Sequence, residues 1–98
     1  MTMYTDPSFR MTVADVFAIR GRGTVVTGDI EVGEIRVGNE VYIRGAAGMK
    51  TAVVAHIELY RRRQQEAKAG DRVGLILEGI NKEDVQHGDV LVGTVSFG

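Results

Sequence analysis

Residues 9–31 read FRMTVADVFAIRGRGTVVTGDIE, two β-rich runs on either side of a Gly-Arg-Gly punctuation. From 9 to 19 the pattern alternates. Phe9, Met11, Val13, Phe17 and Ile19 share one side, with Asp15 interrupting the apolar row, and this predicts one long strand. Gly21 and Gly23 suit a turn because glycine tolerates positive φ, and residues 24–31 read as the returning partner. A hairpin is expected here.

Outward from this hairpin, a small motif recurs in Val37-Gly38-Asn39-Glu40-Val41, Ala69-Gly70-Asp71-Arg72-Val73 and His87-Gly88-Asp89-Val90-Leu91. Glycine supplies positive φ, the Asx side chain bonds nearby backbone, and the apolar residue after them restarts a strand. The unequal intervals mark recurrent turn chemistry, not a duplicated unit. Strands are therefore expected to start near Glu40, Thr51, Arg72 and Asp89. Along residues 51–62, alternation puts Val53, Ala55, Ile57 and Leu59 on one side and Val54, His56, Glu58 and Tyr60 on the other. The polar residues 64–70 read as a loop, and Asn81-Lys82-Glu83-Asp84-Val85 as one helical turn with an Asn cap.

About six short strands without helices to cover a sheet favour closure of the sheet on itself, which removes exposed edges. The expectation is an all-β, small closed six-stranded Greek-key-like β-barrel forming a single domain over 1–98. Its interior or end caps would draw on Val25, Ile30, Val41, Ile43, Val53, Ile57, Leu59, Val73, Leu75 and Leu91.

Composition narrows the function. Ninety-eight residues suit one core, burying roughly 60–65% of the unfolded chain's surface. Twelve Lys and Arg against thirteen Asp and Glu give a net charge of −1, so any RNA contact must be local. No apolar run approaches the roughly 18 residues of a membrane span, and no signal-type segment opens the chain. With no cysteine, a reducing cytoplasmic setting fits, and no membrane partner is expected.

Chemical motifs are sparse. In Gly45-Ala46-Ala47-Gly48-Met49-Lys50-Thr51, Met49 separates glycine from lysine and no helix follows, so it reads as a hairpin tip with a solvated lysine, not a phosphate loop. Two isolated histidines, His56 and His87, make no metal set. No serine stands in a nucleophile elbow, and Glu83 and Asp84 read as solvated charge. No enzyme activity and no cofactor are expected. Arg61-Arg62-Arg63, with Lys68 and Arg72, is the one dense basic segment. It reads either as a local RNA contact or as a solvated strand end, since alternation sends Arg62 away from Arg61 and Arg63.

Residues 15–28, DVFAIRGRGTVVTG, together with Val32-Gly33-Glu34-Ile35-Arg36-Val37-Gly38-Asn39-Glu40-Val41, Ile57-Glu58-Leu59-Tyr60-Arg61, Ala69-Gly70-Asp71-Arg72-Val73-Gly74 and Gly88-Asp89-Val90-Leu91, resemble the second domain of elongation factor Tu-type translational GTPases. The resemblance runs from residue 9 to about 92, with no GTP-binding domain alongside. It implies a translation-type barrel that helps hold the 3′ end of aminoacyl-tRNA. It also implies a site for RNA or ligand at Asp15, Phe17, Thr27, Glu58 and Arg61, which stand at the family's matching positions. Ala14 replaces the first residue of an acidic pair, and Arg72 replaces an asparagine, which removes two hydrogen-bonding partners for an aminoacyl group. The readings carried forward are a module contacting the tRNA 3′ end or other RNA, a module docking on a separate GTPase or ribosome-associated protein, and a fragment of a longer translation factor.

Overall fold

The structure, a computed structural model, describes the backbone of residues 2–21, 23–46 and 48–97 and the side chains of 9–21, 23–46 and 48–93. Among the described residues ten strands follow in chain order: β1 (Thr2–Thr12), β2 (Asp15–Ile19), β3 (Gly23–Val32), β4 (Glu34–Arg36), β5 (Glu40–Gly45), β6 (Gly48–Leu59), β7 (Arg62–Gln64), β8 (Glu66–Lys68), β9 (Arg72–Glu78) and β10 (Val90–Phe97). A 3₁₀ turn, Lys82–Asp84, precedes the last strand. Among the described residues no helix is long and apolar enough to cross a membrane.

Six of these strands close a barrel in the order β1, β10, β5, β6, β9, β3 and back to β1. All the pairings are antiparallel. Strands β5, β6 and β9 follow one another around the wall, and β10 returns to lie beside β5, which is Greek-key order. Outside the barrel, β2 extends along β3, β7 folds back on β6, and β4 and β8 pair as a small separate ladder. The segment expected to be a loop, 64–70, thus carries β8 and the end of β7.

The expected single strand over 9–19 is two strands with a corner at Val13 and Ala14. There the backbone leaves the ladder: Val13 N–H donates to Asp89 O at 2.8 Å, Gly88 N–H to Val13 O at 2.8 Å, and Ala14 N–H to Thr27 O at 2.7 Å. Phe9, Met11 and Val13 therefore enter the core, whereas Phe17 and Ile19 emerge at 48% and 41% exposure. The corner lies where β1 crosses β3 at close range. A Cβ on Gly28 would collide with the Thr12 carbonyl oxygen, so a side chain at 28 would push the closing strands apart.

All three recurrent turns form as the sequence suggested. Asn39, Asp71 and Asp89 each donate a backbone N–H to the carbonyl three residues back, on Arg36, Lys68 and Gln86. Their side-chain oxygens accept the N–H of those same residues at 2.9, 2.9 and 3.0 Å. The glycine between has positive φ each time, at 94°, 96° and 92°. The hairpin tip at residue 47 lies outside the described residues, as does residue 22 of the first hairpin.

Of the expected core, Ile30, Val41, Ile43, Ile57, Val73, Leu75 and Leu91 pack in one cluster with Phe9, Met11, Val26, Val54 and Leu77, and Leu59 packs against its margin. Val25 is buried, but it faces an outer groove. Val53 is the error. Its side chain is 38% exposed because the ladder steps from Val54–Leu77 to His56–Ile76, leaving Ala55 as an extra residue. This β-bulge flips the parity of β6, so Ala52 and Val54 face inward before it and Ile57 after it. Lys50 is also not merely solvated: its Nζ lies 2.7 Å from Asp84 Oδ1 and ties the β5–β6 hairpin to the 3₁₀ turn.

Candidate functional site

Strand register brings distant residues into one row on the barrel's outer face. Asp15 pairs with Thr27, Thr27 with Gly74, and Gly74 with Glu58, a run across β2, β3, β9 and β6. At about 4.8 Å between strands, this row is roughly 14 Å wide. One step along the strands, Phe17 pairs with Val25 and Val25 with Ile76, an apolar row. One step the other way, Asp29 pairs with Arg72, a charged row.

These rows line an open cleft of about 400 Å³, bounded by Phe17, Ile19, Val25, Thr27, Glu58, Tyr60, Arg61, Arg72, Val73 and Gly74. Four of the five site residues expected from the sequence, Phe17, Thr27, Glu58 and Arg61, meet here. Asp15 belongs to the central row at its β2 end but does not line the cleft. The floor is open because Gly74 has no side chain. A Cβ there would sit 3.8 Å from Val25 and 3.9 Å from Thr27, so the backbone does not demand glycine on steric grounds. The neighbouring cleft beside β4 and β8, lined by Glu34, Glu66, Ala67, Lys68 and Asp71, has no aromatic wall.

The far end of the groove is a two-residue hairpin turn. Leu59 pairs with Arg62, leaving Tyr60 and Arg61 between them with φ of 53° and 64°. Positive φ at both central positions is the pattern of a type I′ turn, which favours Asn-Gly. A tyrosine and an arginine there cost about 1–2 kcal/mol each in backbone strain. The turn thereby holds Tyr60 at 86% exposure, and Arg61 stands at the cleft.

The arginine run divides its work. Arg63 shares the outer face with Glu58. Its Nε lies 3.8 Å from Glu58 Oε2, and its Nη1 donates to His56 Nδ1 at 2.9 Å. Arg61 makes no hydrogen bond or ion pair with another described residue. Arg72 reaches both Asp29 oxygens at 3.3 Å through Nη1, an exposed pair, and such pairs contribute about 0–1 kcal/mol. Among the described residues no three His, Asp or Glu come together as a metal set.

Sequence reading missed Ile19, Tyr60, Val73 and Gly74 as cleft residues. For Ile19, Tyr60 and Gly74 the signal is parity relative to Thr27, usable once the β2–β3, β3–β9 and β6–β9 registers are known, whereas Val73 has the opposite parity and its side chain packs in the core. The cleft offers an apolar and aromatic wall, a hydroxyl and a carboxylate at mid-groove, and guanidinium groups at the far end. A family model described as elongation factor Tu domain 2 matches residues 23–92.

Proposed function

The chain belongs to the elongation factor Tu domain 2 family, and from that premise we propose that its groove is a non-enzymatic binding site for a single-stranded RNA end, the tRNA 3′ end being the first candidate. One observation carries the reading: residues from four separate strands and a strained turn place stacking, hydrogen-bonding and cationic groups in a single cleft. Single-stranded RNA is recognised by this combination, with bases stacked on aromatic side chains and the sugar and phosphate held by polar groups. Phe17 supplies the exposed ring, Thr27 and Glu58 face the sugar, and Arg61 faces phosphate. Asp15 extends the polar row beyond the cleft.

Stacking contributes about 1–3 kcal/mol per base, so a short oligonucleotide binds this module weakly. An NMR titration of the labelled protein with a CCA-ended oligonucleotide tests the site. Shifts are expected at Phe17, Thr27, Glu58 and Gly74, and they are lost in Gly74→Leu, which fills the groove floor. Shifts confined to Lys50 and the opposite side of the barrel, or none at millimolar ligand, contradict the proposal and favour docking on a protein instead.

A further inference from the structure

Two residues outside the cleft control one of its polar groups. Glu58 lines the groove from β6, and its cross-strand partner on β7 is Arg63. The guanidinium of Arg63 is shared. Its Nη1 lies 2.9 Å from His56 Nδ1, while its Nε stands 3.8 Å from Glu58 Oε2. At that length the arginine and the glutamate form a loose ion pair without a hydrogen bond. His56 and Glu58 follow the bulge at Ala55 two residues apart, so both point to the outer face. Neither His56 nor Arg63 lines the cleft itself.

The chemistry of the contact fixes the state of the ring. A guanidinium carries only donors, so His56 Nδ1 accepts and the ring's single proton sits on Nε2. A protonated ring would present a donor and a positive charge to Arg63, and the contact could not form. Histidine is the side chain whose charge ordinarily changes between about pH 5 and 8. With His56 charged, the carboxylate already within reach of Arg63 is Glu58, and the loose pair closes. Beyond Arg63, the charged side chains nearest His56 in the ladder are Glu40 on β5 and Glu78 on β9, both opposite Val53, and Arg62 on β7, opposite Leu59. On β8, Glu66 is paired with Arg36, and Lys68 lines the neighbouring cleft.

We infer that His56 and Arg63 are positioning residues for Glu58: a neutral His56 holds Arg63 back and leaves the Glu58 carboxylate to accept from ligand hydroxyls, whereas a charged ring releases Arg63 to occupy that carboxylate. The inference rests on the RNA-end reading above. Binding is strongest on the alkaline side of the histidine range and weakens as pH falls through it. This sign opposes simple electrostatics, since a positive charge added beside the groove would by itself strengthen binding to RNA.

The test titrates the full chain with a CCA trinucleotide at about pH 7.5 and about pH 5.5, either side of the ordinary histidine range, at fixed ionic strength. Groove resonances are followed by NMR. Affinity is expected to be about three-fold weaker at the lower pH, the order of effect of one exposed ion pair. His56→Gln keeps an acceptor for Arg63 and loses the titration, so its affinity is expected to match the parent's higher value at both pH values. Every other charged group near the ring remains in that variant, which isolates His56. Arg63→Gln also loses the pH dependence. The chain without ligand gives a second readout: the Glu58 carboxyl carbon resonance moves with the His56 ring titration in the parent and does not in Arg63→Gln.

Tighter or equal binding at the lower pH, or a weakening that survives His56→Gln or Arg63→Gln, overturns the inference and leaves the RNA-end reading standing. A Glu58 resonance indifferent to the His56 titration overturns it whatever the ligand does. Absence of groove shifts at both pH values overturns the RNA-end reading and the inference with it.

Discussion

Tyr60 and Arg61 are where the local rules of chain conformation and the needs of the groove oppose each other. Both residues occupy the left-handed region, which Asn and Gly reach at far lower cost. The double substitution Tyr60→Asn, Arg61→Gly is therefore expected to raise unfolding free energy by about 1–3 kcal/mol in urea titration. The same variant loses oligonucleotide affinity, because the ring and the cation leave with it. A variant no more stable than the parent would show that the turn is not strained. Sequence alone could not reveal this device. Simple alternation carries residues 51–62 through as one strand, and only the pairing of Leu59 with Arg62 shows that the chain reverses at Tyr60. Gly74 was silent for another reason: a residue without a side chain advertises no chemistry, and its role is the space it leaves.

At the scale of elements, two carboxylates among the described residues are held below their ordinary range, and both fasten one piece of the chain to another. The Lys50 ammonium, then the Asn81 backbone N–H, hold Asp84 low. The Thr12 hydroxyl, then the Arg10 guanidinium, hold Glu31 low and bind the end of β3 to β1. A carboxyl whose folded-state value lies below its unfolded value stabilises the fold in its charged form. That stabilisation is complete above the ordinary values of 3.8 and 4.5 and is lost as pH falls through the depressed ones. Thermal unfolding should show a melting temperature unaffected by these two groups from pH 7 to about pH 5.5 and falling below about pH 4.5. In Asp84→Asn the acid-side fall becomes shallower. An unchanged slope would mean that the Lys50–Asp84 contact does not persist in solution.

Much of this level was legible beforehand. The Gly-Asx turns were readable because their chemistry is local, each hydrogen bond closing within four residues. The corner at Val13–Ala14 was signalled by Asp15 breaking the apolar row, but its meaning depends on β10 and on the close approach of Gly28, which are remote in sequence. The bulge at Ala55 depends on pairing with β9 and leaves no mark in the alternation of β6 itself. Val53 was misplaced for that reason. Phe17, Thr27, Glu58 and Arg61 were named through family resemblance, and the register explains why all four reach one cleft.

For the whole molecule, the closed barrel is a frame whose outer face carries the proposed groove. Its interior is filled by apolar side chains from β1, β3, β5, β6, β9 and β10, so the cleft lies outside, lined mostly by residues of opposite parity. A chain of net charge −1 exerts no general attraction on RNA, so the proposed binding rests on the local cleft where Phe17, Glu58 and Arg61 converge. Measured affinity should accordingly fall with salt by a slope of only about one to two phosphate equivalents, not the steep dependence of a basic protein. The most direct test of the groove as an RNA-end site replaces the terminal adenine of a CCA oligonucleotide with 2-aminopurine, whose fluorescence is quenched on stacking. Saturable quenching by the protein, with a dissociation constant on the order of 1 mM or tighter, is predicted, together with its loss in Phe17→Ala at unchanged thermal stability. No quenching at several times that concentration, or equal quenching by Phe17→Ala, would contradict it.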